Sequence, residues 1–96
     1  MYKNYLDLKK DRIRRDIAFR LQMLGYDVDQ NIGIETIQTI IKKIQLKNGL
    51  IADGYIGENT MSLLGYSDEC IRKILNFYVG NENKISFDIF VHSFLC

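Results

Sequence analysis

Two aspartates set in matching surroundings are the residues of this chain best placed to do chemistry. Asp29 stands in V-D-Q-N-I-G-I-E-T, residues 28–36, and Asp53 stands 24 positions further on in A-D-G-Y-I-G-E-N-T, residues 52–60. A pair of carboxylates can act as general acid and general base when their surroundings hold their proton affinities apart. These two have a competing duty, because a short acidic side chain also bonds backbone N–H groups two or three residues downstream and closes a turn. In both copies the Asp is followed three residues later by Ile, then at once by Gly, then three further on by Thr at the head of an apolar segment. We read D-x-x-I-G-x-x-T as a turn that launches a helix. Asp29 and Asp53 close it, Gly33 and Gly57 supply a positive φ or a close backbone approach, and Ile32 and Ile56 pin it to a core. Glu35 or Glu58 then meets the positive end of the helix dipole.

Other reactive groups are sparse. The single histidine, His92, has no cysteine or carboxylate at a metal or triad spacing, and neither G-x-x-x-x-G-K nor G-x-G-x-x-G occurs. The chain is therefore expected to be no enzyme, with no catalytic residue, no metal and no cofactor, and His92 is read as a surface or structural residue. Cys70 and Cys96 have no C-x-x-C spacing and could pair only if the tail folds back, so both are expected to be reduced or inert.

The elements that hold the two loops follow from periodicity. Ile13, Ile17, Leu21 and Leu24 recur four, four and three apart, which predicts an amphipathic helix ending at Gly25. Ile37, Ile40, Ile41 and Ile44 predict a second helix that stops at Asn48-Gly49, and Met61 and Leu64 a third, shorter one that ends at Gly65. Ser67 before Asp68-Glu69 reads as the N-cap of a fourth, whose stripe Ile71, Ile74, Leu75 and Tyr78 runs up to Gly80. Ser86 caps a fifth if Phe87, Phe90, Val91, Phe94 and Leu95 form one helical face; a strand is the rival, since Ile85, Phe87, Ile89 and Val91 alternate.

The stretch from Leu21 to Leu64 resembles the peptidoglycan-binding domain of bacterial and phage cell-wall hydrolases. The resemblance rests on the two loops together with Leu24-Gly25-Tyr26, Ile44-Gln45 and Asn48-Gly49-Leu50. It covers roughly half of the chain. In that family three short helices are joined by two D-G-x-x-G-x-x-T loops. This chain departs from the pattern with Gln30-Asn31 after the first Asp, Ile44 in place of the usual Phe, and no Pro anywhere.

What the resemblance implies is an all-α fold, a small three-helix bundle with two repeated loops, residues 1–66; beyond the resemblance, the capping and apolar stripes predict one or two extra C-terminal helices, residues 67–96, packed on it. It also implies a non-catalytic module that binds cell-wall peptidoglycan, through its peptide stem or glycan, in a shallow groove beside the loops. Gln30, Asn31, Tyr55 and Asn59 would bond the peptide stem, and Tyr26 and Tyr55 would offer flat apolar surfaces. Asp29, Gly33, Asp53 and Gly57 would be structural loop residues.

Composition and charge leave two other readings open. With 96 residues, 47% of them apolar, the chain can bury roughly 60–65% of its unfolded surface, enough for one core. Residues 1–20 carry seven basic and three acidic side chains, a local balance of +4 within an overall +1. A basic first helix suits phosphates in nucleic acid or an anionic wall polymer, although Asp7, Asp11 and Asp16 interleave with the cations as in a salt-bridged, solvated face, so nucleic acid is the less favoured partner. The aromatic C-terminal face would instead suit a protein partner, in a protein that keeps the fold without wall binding. Met1-Tyr2-Lys3-Asn4 runs into charged residues with no apolar core or small-residue cleavage site, so no signal peptide is expected. No apolar run approaches the roughly 20 residues of a membrane span. The expected course is synthesis in the cytoplasm, with action at the wall after lysis or from a virion, as for a phage-encoded protein.

Overall fold

A computed structural model describes residues 4–29 and 31–80. Among them are four helices and no strand: α1 (Asp11–Met23), α2 (Ile34–Lys47), α3 (Glu58–Leu63) and α4 (Asp68–Gly80). The all-α class and the first four helices agree with the periodicity. The fifth helix, its aromatic face, His92, Cys96 and Gln30 lie outside the described residues.

One core serves all four helices. Ile13, Ile17 and Leu21 of α1, Ile37, Ile41 and Ile44 of α2, Met61 of α3 and Ile71 and Ile74 of α4 are buried in a single cluster. Leu24 is the exception in the first stripe: it forms the C-cap of α1 and is 48% exposed. The cluster also takes in Leu6 and Leu8 from the irregular segment ahead of α1, which no helical or strand period marks. That segment is tied down by the Arg14 guanidinium, which donates to the Leu8 carbonyl at 3.1 Å.

Three helix ends share one device. Gly25, Gly49 and Gly65 take φ of 97°, 75° and 92°, and each donates its N–H to the carbonyl three residues back. The following residues Tyr26, Leu50 and Tyr66 then bond back to Leu21, Gln45 and Met61. This left-handed glycine stop satisfies carbonyls that a helix end leaves without partners, and it turns the chain back over the core. At the head of α4 the Ser67 hydroxyl accepts the Cys70 N–H at 3.1 Å, the N-cap that its sequence predicts.

The cysteine expectation is corrected. Cys70 is 2% exposed and disulfide-bonded rather than reduced. Spacing could not have shown this, because a disulfide depends on where the chain returns in space and not on a local motif.

Candidate functional site: the cleft beside the second loop

The aspartates of the two loops make matching side-chain bonds. Asp29 Oδ1 accepts the Asn31 N–H at 2.8 Å, and Asp53 Oδ1 accepts the Tyr55 N–H at 3.0 Å, in each case two residues on. Each loop then delivers a glycine as the N-cap of the next helix, Gly33 for α2 and Gly57 for α3. Of the two roles expected for these glycines, a positive φ is not the one they fill, and a Cβ added at Gly33 would meet nothing within 4 Å. Gly33 has φ −75° and Gly57 φ −91°, both accessible to any residue. The left-handed position is Gly54, with φ 76°, where an added Cβ would stand 3.1 Å from Lys42 Cε.

The second loop is clamped from within by Gln45. This side chain of α2 is 2% exposed, and its Nε2 lies 2.8 Å from the Tyr55 carbonyl, 3.0 Å from Thr60 Oγ1 and 3.2 Å from Asp53 Oδ1. Its Oε1 accepts the Gly54 N–H at 3.0 Å. One buried carboxamide thus joins α2, the loop and α3, and satisfies polar groups that water cannot reach. In the first loop an exposed glutamine, Gln22 of α1, donates to the Val28 carbonyl. The two loops also differ in depth: Ile56 is fully buried, whereas Ile32 is only half-buried.

The N-terminal segment completes the second loop. The Tyr5 N–H donates to the Ile56 carbonyl at 2.9 Å, and the Ile56 N–H donates to Asn4 Oδ1 at 2.8 Å. Beside this junction opens a cleft of about 410 Å³. Tyr5, Leu50 and Ile51 give it apolar walls; Asp53, Glu58, Asn59 and Thr60 give it polar ones. Its two charged side chains are both acidic. A second depression of about 330 Å³ shares Glu58 and Asn59 and continues along α4 past Asp68 and Arg72, so the first turn of α3 is the ridge between the two.

The five residues expected to touch ligand do not meet in one place. Asn59 is exposed and lines the cleft. Tyr55 is 47% exposed, with its N–H and carbonyl both committed to the loop. Asn31 is exposed on the first loop. Tyr26 is half-buried in a separate depression of about 280 Å³ with Leu24, Ile44 and Lys47. Gln30 lies outside the described residues. Sequence reasoning missed Tyr5, which precedes every recognisable motif, and Gln45, whose role needs the loop in place.

A further cluster joins α1 to the turn before α4. Tyr66 is 8% exposed and donates its hydroxyl to Asp16 Oδ2, which also accepts Arg20 Nε at 3.0 Å. The Arg20 guanidinium lies 3.6 Å from the centre of the Tyr66 ring, a cation–π contact. Burial, then the negative charge of Asp16, pushes the Tyr66 phenol well above its ordinary range. Among the described residues no three His, Cys, Asp or Glu side chains come together as metal ligands, and no helix is long and apolar enough to cross a membrane. Compared with known proteins, the chain matches no family model, no curated protein and no solved structure.

Proposed function

We propose that this chain is a non-catalytic module that holds bacterial cell-wall peptidoglycan, with the cleft beside the second loop as its contact surface. The observation that carries this reading is that cleft: a preformed, open recess in which apolar walls face polar side chains, Glu58 and Asn59 among them, on the copy of the repeat that matches the family's D-G-x-x-G-x-x-T pattern. Such a mixture suits a glycopeptide, whose sugar rings and methyl groups alternate with amides and hydroxyls. Asp53 and Glu58 favour the donors of a ligand, its amide N–H, hydroxyl and ammonium groups, over its carboxylates. Asn59 supplies both a donor and an acceptor at the cleft wall. The two aspartates of the repeat are assigned to the turns rather than to acid–base work, since each has an oxygen engaged by the N–H two residues on.

Sedimentation with purified, protein-free sacculi tests the proposal. The folded protein is expected in the pellet, and Asn59→Ala and Glu58→Gln should each move it toward the supernatant while staying folded, the second with a small drop in melting temperature from the lost charge at the head of α3. Full recovery of the folded wild type in the supernatant rejects wall binding.

A further inference from the structure

The outer face of α1 combines two kinds of side chain that a solvated helix keeps apart. Arg12, Arg15, Phe19 and Met23 follow one another at spacings of three, four and four, so they line one side of the helix. The opposite side, Ile13, Ile17, Ala18 and Leu21, is buried. Phe19 is 50% exposed and Met23 73%.

The cations of this face are not neutralised by the acids beside them. Asp11 is engaged by Arg14, and Asp16 by Arg20 and Tyr66. Arg12 and Arg15 make no ion pair among the described residues. The salt-bridged face expected from the interleaved aspartates is therefore only half realised: Asp11 and Asp16 pair with Arg14 and Arg20 and leave two guanidiniums facing out beside an apolar strip.

We propose that this face docks the domain on an anionic phospholipid surface, with Arg12 and Arg15 on the headgroup phosphates and Phe19 and Met23 lodged at the boundary with the acyl chains. The charge of the face selects an anionic occupant. Its apolar half selects lipid: a nucleic acid backbone would leave Phe19 and Met23 against phosphate or water, whereas a bilayer presents phosphates and hydrocarbon within about 10 Å of each other. Because the strip is a single helix face rather than a groove, a deformable planar surface covers it without needing a complementary shape. The docking is peripheral, and it does not depend on wall binding.

Flotation with vesicles tests this. Wild-type protein should float with phosphatidylcholine vesicles containing about one-third phosphatidylglycerol, and stay below with phosphatidylcholine alone. At about 1 kcal/mol per basic residue near such a surface, Arg12→Gln with Arg15→Gln should weaken partitioning roughly 30-fold. Phe19→Ser with Met23→Ser should weaken it too, in a protein whose melting temperature is checked first. Met23→Trp gives a second reading in a chain that has no tryptophan: its emission should shift to the blue with anionic vesicles only. The proposal is overturned if folded wild type fails to float at low salt, or if binding ignores the Phe19 and Met23 substitutions. It is equally overturned if duplex DNA binds as tightly and responds to the arginines alone, or if the serine pair merely dissolves a dimer.

Discussion

Replacing Gln45 by Met isolates the contribution of one carboxamide to the architecture of the cleft. The two side chains are close in length and volume, so the cavity contribution that accompanies truncation is small. Loss of the amide leaves the Gly54 N–H without its acceptor and Thr60 Oγ1 without its donor, both in buried residues. The Tyr55 carbonyl belongs to an exposed residue and can turn to water, and Asp53 Oδ1 keeps the Tyr55 N–H. Two buried groups without partners cost about 1–3 kcal/mol each, so Gln45→Met should lose about 2–6 kcal/mol. For a domain of this size a loss of about 3 kcal/mol lowers the melting temperature by roughly 12–24 °C. Far-UV circular dichroism during heating and urea titration reads both quantities. Thr60→Val removes one of the orphaned groups in advance, so the double variant should be less unstable than the sum of the singles by about 1 kcal/mol. A Gln45→Met protein within about 0.5 kcal/mol of wild type, or strict additivity in the cycle, would refute the clamp.

The remaining predictions concern the loops, the tyrosine cluster and the disulfide. Gly54→Ala should cost about 1–2 kcal/mol in urea unfolding, from its left-handed backbone and the Lys42 side chain above it. Gly33→Ser, at a helix N-cap with open space for a side chain, should stay within about 0.5 kcal/mol of wild type. Tyr66→Phe should cost about 1 kcal/mol at neutral pH, less than a fully buried charged hydrogen bond because Asp16 is 44% exposed. Since the folded phenol titrates above the unfolded one, its contribution is whole below about pH 10 and lost as the pH rises further, so Tyr66→Phe should flatten the alkaline fall in stability. Absorbance titration should show one of the six tyrosines resisting ionisation while the fold survives. Reduction should lower stability by about 2–4 kcal/mol, and thiol counting in denaturant without reductant should find no free Cys70.

Local features of this fold were legible in the sequence and distant ones were not. Ile13, Ile17, Leu21, Ile37, Ile41 and Ile44 announce their burial by spacing alone, and Gly25, Gly49 and Gly65 mark helix ends because a left-handed residue is needed there whatever the surroundings. Ser67 and the two aspartates act on backbone two or three residues away, so their bonds are readable as strings. Leu6 and Leu8 carry no period, because an irregular segment that crosses the core has none to show. Tyr66 and Asp16 are 50 residues apart, and Asn4 and Ile56 are 52 apart; neither pairing leaves a trace in local pattern. The left-handed position of the second loop was missed for a related reason: a conspicuous repeat drew the special backbone to Gly33 and Gly57, whereas in the second copy it falls on Gly54, one residue after the aspartate.

The bonding of Ile56 to Asn4 and Tyr5 sets the smallest piece of this chain that can be handled as a unit. Excising the repeat by its visible borders, from Leu21 to Leu64, would strip both main-chain partners from a residue sealed in the interior and remove one wall of the recess. An expression boundary should therefore begin no later than Asn4, even though nothing in the first ten residues looks like part of a motif.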